Sequence, residues 1–330
     1  MISIRIGTDA LGQVRLATSP LWETMASLQL LAQNRSVPWP YTGWAQRARP
    51  SLAAGLGGDL VRWFRARPGP VPAFLAPLPT EATPAIADEL DALRRTPAEV
   101  VREQLAAARG PDPFGGQRPE TWLRWCADAV ADYWDRAVRP AWPSIRAALQ
   151  EDVLHRAHLL ATQGVRVLLE RLEGRIHWEE PRLVISGTAG TETLSCQGRL
   201  VIVPLLFGRW MARCVPDDTG AVAVSCQARG AAVLANNPPH GNSAASVPQR
   251  GDRLTILVGR GRAAVIRGLA TPTTTSTLAS VLGLSASTVS EHLTALVAAN
   301  VVQRRRIGGR VLYELDRTGS ALLGYLDNGA

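Results

Sequence analysis

The stretch from Thr271 to Leu315, TPTTTSTLASVLGLSASTVSEHLTALVAANVVQRRRIGGRVLYEL, constrains this chain more than any other. Within it Val289, Leu293, Leu296 and Val297 recur at i, i+4, i+7 and i+8, the single apolar stripe of a helix packed on one side only. Ser285 stands where its side-chain oxygen can accept the unpaired N–H groups of that helix's first turn. Asn300 stands just past its end, where left-handed geometry commonly stops a helix. The opposite side carries Ser287, Thr288, Glu291 and Thr294, with Ser290 and His292 at its edges. That set is small, polar and nearly uncharged, and it suits a helix that enters a major groove about 12 Å wide and offers hydrogen-bonding groups to base edges. Upstream, Thr274 is placed to cap a shorter helix over about Thr275 to Leu282, with Leu278, Ala279 and Leu282 inward and Gly283 at the turn. Downstream, VVQRRRIGGRVLYEL reads as a hairpin with Gly308-Gly309 as its two-residue turn. Pairing Ile307 with Arg310 sets Arg306 opposite Val311, Arg305 opposite Leu312 and Arg304 opposite Tyr313, so the arginines alternate between faces. Helix, turn, helix and hairpin make the layout of a winged helix-turn-helix.

The residues expected to face bases are Ser287, Thr288, Ser290, Glu291 and His292. Ser290 and His292 have a second reading, since from the edges they reach phosphates or the domain core. Arg305, Arg306 and Arg310, near the glycine tip, are the candidates for phosphates or the minor groove, and Arg304 can lie over Tyr313 as a packing residue. The segment LGLSASTVSEHLTALVAANVVQRRRIGGRVLYEL resembles the DNA-binding half of ArsR-type winged-helix repressors, over about Arg260 to Leu323. That resemblance implies DNA binding, dimerisation and, by analogy, repression. Metal-sensing members carry a cysteine motif in the first helix of the pair. TTSTLASVLGL has no Cys, His or acid, so the resemblance does not bring metal sensing with it. The upstream region is similar to the long amino-terminal domain of some actinobacterial ArsR-like regulators, through LWETMASLQLL and RLVIVPLLFGRW…VSCQARGAAVL. It brings no chemistry.

Charge agrees with a nucleic-acid partner. All 36 basic residues are Arg and the formal charge is +8. From Arg253 onward nine Arg face Glu291, Glu314, Asp316 and Asp327, a balance of +5 in under a quarter of the chain. A solvated basic surface is the plainer reading of the same count. The four cysteines form no CxxC, and there is no charged-then-apolar leader and no long apolar span, so the expectation is a reduced cytoplasmic protein without a membrane segment.

At 330 residues the chain has room for two domains. Residues 1–235 are expected to form a mainly helical sensor or assembly domain with a small antiparallel sheet. NNPPHGNSAASVPQRG, residues 236–251, is the linker candidate, and 252–330 the winged domain. The fold class is thus mainly α with small β, α+β. In the first domain ISIRI and QVRLA read as strands around a TDALG turn, and Ser19-Pro20 opens a helix to Leu31. Shorter helices follow around Trp44, Trp63 and Pro84, and Thr96-Pro97-Ala98-Glu99 is a capping box. Long helices follow over Pro119–Val138 and Ala141–Leu172, with a break at Gly164, before RIHW, RLVIS, RLVIVP, ARCV and AVAVSC read as strands.

Four rival signals compete. LTILVGRGRAA mimics a dinucleotide fingerprint, yet no acid follows before Glu291 and Thr271-Pro272 leads into two helices rather than a second strand, so a helix start is the better reading. His155 and His158 share a helical face, but only Glu151 and Asp152 are near enough in sequence to join them, and no metal site is assigned. Ten Trp, eight before residue 150, make either an aromatic-walled pocket for a planar or apolar effector or a packed core. No GxSxG, GK[ST], HExxH or His–Cys–Asn pattern occurs, so neither enzyme activity nor a cofactor is expected. The expected partners are double-stranded DNA, a second copy of the chain and a small-molecule effector. The competing classes are a winged helix that binds protein and a regulator fused to an enzymatic domain.

Overall fold

The structure, a computed structural model, describes the chain except residues 35–36, 54, 68–70, 107–113, 173–174, 187–191, 209–213, 217–218, 236–252, 308–309 and 328–330. The side chains at 214, 307, 310 and 327 also lie outside the description. The chain divides into two units: Met1–Val37 with Ala45–Ala228, and Pro38–Trp44 with Arg229–Ala330. The proposed linker falls outside the described residues.

The first unit begins with β1 (Ile2–Ile6), α1 (Thr8–Gly12) and β2 (Arg15–Leu16). TDALG, read from sequence as a turn, is therefore a short helix. It buries Ala10 in the core of the unit, and tertiary packing outweighs the turn signal of its glycine. The helices α2 (Pro20–Gln33), α3 (Thr42–Leu52, in this unit from Ala45 on), α4 (Leu56–Ala66), α5 (Ile86–Arg94), α6 (Ala98–Ala106) and α7 (Pro119–Tyr133) follow. A π-helical turn over Trp134–Val138 and a 3-10 turn over Arg139–Ala141 lead into α8 (Trp142–Glu170). Gly164 breaks α8 with φ 83° and ψ 172°, a conformation that suits glycine.

The α+β class holds, but the single antiparallel sheet does not. The strands β3 (Ile176–Glu179), β4 (Arg182–Ile185), β5 (Glu192–Cys196), β6 (Leu200–Leu205), β7 (Cys214–Pro216) and β8 (Val222–Gln227) join β1 and β2 in two mixed sheets. Their orders are β3-β4-β1-β5 and β2-β6-β8-β7. The pairs β1–β5, β2–β6 and β6–β8 are parallel. Every residue of β6 and β8 is buried, as expected of strands covered on both faces, whose sequences lose the alternation of a half-exposed antiparallel strand.

Helix α2 is buried along nearly its whole length, so its polar side chains need internal partners. Ser19 caps it by accepting from the Trp22 N–H at 3.0 Å. The Ser27 hydroxyl bonds the Thr24 carbonyl at 2.8 Å and the Tyr133 hydroxyl at 3.0 Å. The Glu23 carboxyl accepts from the N–H groups of Leu206 (2.5 Å) and Phe207 (3.2 Å), just beyond β6. Glu89 of α5 accepts from the Ser19 hydroxyl (2.5 Å) and the Leu21 N–H (2.8 Å) at the start of α2.

In the second unit α9 (Arg253–Val258), α10 (Arg260–Gly268), α11 (Thr275–Leu282), α12 (Ala286–Ala298), β9 (Val302–Ile307), β10 (Arg310–Leu315) and α13 (Arg317–Asp327) enclose one core. Leu254, Ile266, Leu278, Val289, Leu293, Leu296 and Val302 are its buried centre. The run LTILV is helical, not the strand a dinucleotide fold requires, and Gly259 at φ 81° turns the chain from α9 into α10. The ring of Trp39, from the separate segment Pro38–Trp44, lies beside Gly268 at the end of α10.

The buried carboxyls give the first unit a pH dependence. Desolvation by burial pushes Glu23 up to about 8, against the lowering effect of its two backbone hydrogen bonds. Burial likewise pushes Glu89 up to about 7, against the bonds from Ser19 and Leu21, with the Asp88 charge adding to the rise. A carboxyl with a folded-state pKa above its ordinary 4.5 holds its proton better in the fold than in the unfolded chain. Its contribution is complete below about pH 4.5 and is lost as pH rises through the folded value. Thermal stability should fall between about pH 5 and pH 8. Glu89→Gln, neutral throughout and still able to accept one bond, should flatten that fall by up to about 3 kcal/mol. Melting curves across the range, for both proteins, check it.

Candidate nucleic-acid interface

Each end of α11 and α12 is fixed by a local device. Thr274 and Ser285 accept from the N–H groups of Thr277 (3.2 Å) and Thr288 (3.1 Å), the caps expected from sequence. The end of α11 turns at Gly283, φ 67°, with the Leu284 N–H returning to the Ala279 carbonyl at 3.0 Å. The end of α12 turns at Asn300, φ 53°, with the Val301 N–H returning to the Leu296 carbonyl at 3.0 Å. Both closures tie down carbonyls that a helix terminus otherwise leaves unpaired. Across Gly283, Leu284 and Ser285 the two helices bend by 114°, within the range of helix-turn-helix pairs.

Burial divides α12 as its sequence does. Val289, Leu293 and Leu296 are buried, while Ala286, Ser287, Ser290, Glu291 and Thr294 form a continuous exposed face. Of the five residues expected to face bases, the structure brings Ser287, Ser290 and Glu291 together on that face. The Ser285 hydroxyl lies 2.7 Å from that of Ser287 and 2.8 Å from that of the half-buried Thr288, so both belong to the capping network as well. His292 stands apart, half-buried against α10: a Cβ added at Gly261 would lie 2.6 Å from its Nε2. Thr294, exposed on the same face, bonds the Ser290 carbonyl at 2.8 Å.

The hairpin has the expected register, with Arg306, Arg305 and Arg304 opposite Val311, Leu312 and Tyr313. Arg304, Arg305 and Arg306 are all exposed. Side chains alternate along a strand, so Arg304 and Arg306 share the face of Val302 and Tyr313, and Arg305 takes the other. The turn Gly308-Gly309 and the side chain of Arg310 lie outside the described residues. Sequence reasoning missed Thr273, whose N–H and carbonyl exchange bonds of 3.0 and 2.8 Å with those of Tyr313. One residue ahead of the α11 cap, it pins the hairpin to the helix pair.

Other candidates fall elsewhere. His155 and His158 are exposed on α8, and no group of three or more His, Cys, Asp or Glu among the described residues is placed to hold a metal ion. No single described helix is long and apolar enough to cross a membrane. The apolar side of the α11–α12 pair is spent on the core of its own unit.

A family model described as a helix-turn-helix domain matches residues 262–305, from α10 through α11 and α12 into β9. Comparison with curated proteins and with solved structures gave no match.

The contact between His292 and Gly261 can be measured. Gly261→Ala should destabilise the protein by crowding the imidazole, and His292→Ala should relieve most of that cost. A double-mutant cycle by denaturant unfolding should give a coupling of about 1 kcal/mol, against zero for residues that do not touch. The carboxy-terminal unit of this chain thus contains a helix-turn-helix domain, the module that lays its second helix in the major groove of DNA.

Proposed function

We propose that this protein is a transcription regulator that binds an inverted-repeat operator as a homodimer and represses the genes there. The observation that carries the reading is one surface: the small, polar, exposed side of α12, in a unit whose hairpin exposes three consecutive arginines. In this reading Ser287, Ser290 and Glu291 meet base edges, Thr288 supports them from the first turn, and Arg305, Arg306 and Arg310 meet the backbone. His292 takes its packing reading.

The dimer rests on a second observation. Helices α9 and α13 pack together, with the Arg253 guanidinium 5.0 Å from the Tyr325 ring, yet Ile256 (70% exposed), Leu257 (63%) and Tyr325 (69%) are left in solvent. Large apolar side chains left exposed on two helices that pack together can mark a binding face, and in this reading a second copy of the same helices covers them symmetrically. The ArsR-type resemblance points the same way. The protein acts in the cytoplasm as a regulator without enzymatic activity, and its first unit carries the response to an effector. A winged helix that binds protein is disfavoured by the exposed arginines, and gel shifts on the protein's own promoter discriminate the two.

Three variants test the division of labour. Arg305→Ala and Arg306→Ala should each weaken operator and random DNA alike and reduce the log–log salt slope by about one unit, as for a lost phosphate contact. Ser287→Leu should instead erode preference for operator over random DNA with the slope nearly unchanged. Salt titrations on both DNAs distinguish the outcomes; an arginine variant that loses only operator affinity would reverse the roles of wing and helix. Leu257→Arg should yield a monomer by sedimentation and lose cooperative occupancy of two half-sites about 10–10.5 bp apart, or a multiple.

A further inference from the structure

We infer that the cleft bounded by α5, the π-helical turn after α7 and the first turns of α8 is a binding site for an amphipathic organic anion, an apolar body bearing one acidic group. The cleft holds about 600 Å³, the size of pockets that take small organic ligands. Trp134, Trp142, Leu90 and Leu149 make its walls apolar. The two indoles meet edge to face with centroids 5.0 Å apart and planes at 65°, one 6% exposed and the other half-buried.

The contrast with the other tryptophans is what singles this place out. Trp122 is ringed by Trp63, Phe74, Phe114 and Trp125 at 5.3 to 6.2 Å and is spent on packing. Trp134 is instead the first residue of the π-helical turn, a local unwinding frequent at functional sites. Charge decides the ligand class. Arg139 at the cleft is paired with Asp135 at 2.9 Å, but Arg146, exposed on α8, makes no ion pair or hydrogen bond with any described residue. Among the described residues the lining therefore carries one uncompensated guanidinium beside an apolar wall. A planar guanidinium grips a carboxylate or sulfonate through two parallel bonds, while the indoles and leucines take the apolar body.

The site would give the proposed effector response its ligand class, and it rests on that reading only for its consequence at DNA; occupancy is tested without DNA. The probe is 1-anilinonaphthalene-8-sulfonate, with the uncharged N-phenyl-1-naphthylamine as its neutral counterpart, titrated by fluorescence into the full chain. One saturable sulfonate site is expected. Arg146→Ala should weaken the sulfonate about tenfold and leave the neutral dye unchanged. Ala87→Trp, at an exposed residue of the cleft, should fill it and abolish tight binding of both dyes. Should Ala87→Trp fail to fold, the Arg146→Ala pair of titrations decides alone. Equal affinities in wild type and Arg146→Ala would overturn the anion site. So would dye binding that survives both cleft variants and disappears with Leu257→Arg, which would place the dyes on the α9–α13 face. Release of DNA by a bound anion is then a separate measurement, and its absence would remove the effector reading while leaving the site.

Discussion

Burial of Val289, Leu293 and Leu296 along one line of α12 fixes the second unit. Those three side chains, together with Leu278 of α11 and Ile266 of α10, leave the helix no freedom to rotate about its axis. Burying each such side chain contributes roughly 1.5–3 kcal/mol, so turning the apolar stripe outward costs an amount comparable with the whole stability of a small domain, about 5–15 kcal/mol. The exposed face is then determined by elimination: whatever is not Val, Leu or Leu at those positions must meet solvent or a partner. That is why a chain with so apolar a helix pair still presents hydroxyls and one carboxylate in a single patch. The caps at Thr274 and Ser285 and the closures at Gly283 and Asn300 leave the 114° bend with definite ends.

The first unit solves a different problem. A helix buried on all sides has no polar face to give to water, so α2 must find partners for Ser19, Glu23, Thr24 and Ser27 within the protein. It does so by reaching remote chain: Glu23 takes the two N–H groups after β6, and Glu89 takes the hydroxyl and N–H at its start. These bonds join segments 68 to 184 residues apart. Their number and direction specify how α2 sits against β6 and α5, a job that interchangeable apolar contacts do less well. The same α5 lines the Trp134–Trp142 cleft, so the carboxyl that anchors α2 also anchors one wall of the proposed ligand site.

What could be read from the sequence was what depends on near neighbours. A serine three residues before an N–H, a glycine or asparagine one residue past a helix end, and a six-residue strand folded back on its partner all act within a few bonds. The caps, the closures and the hairpin register were accordingly legible. The sheets were not. Strand β1 pairs with β5 and β6 with β8 in parallel, which requires chain excursions that leave no local mark, and ETLSC has too little apolar alternation to be read as the strand β5. The place of Trp39 beside Gly268 is equally non-local. His292 is an intermediate case: its edge position was legible, and Gly261 was noted for another motif, but only the packing of α10 on α12 brings imidazole and glycine together. Of the candidate site, then, the stripe and the face were legible, and the division between facing and packing residues was not.

Glu291 bears on how such a surface can work. It lies in the middle of the exposed face and is the only acid there, where a duplex would bring it among phosphates. At that range like charge is unfavourable unless the carboxylate gains a specific partner, and the major groove offers one in the amino group of cytosine. Nonspecific attraction must then come from elsewhere, and among the arginines of this unit Arg305 and Arg306 stand exposed on the hairpin. A helix face with no positive charge and a wing with several separate the two terms of binding in space. In the proposed reading the wing would attract any duplex, and the helix would penalise those that give Glu291 nothing to accept. Specificity in such an arrangement arises as much from the carboxylate's cost on the wrong sequence as from its gain on the right one.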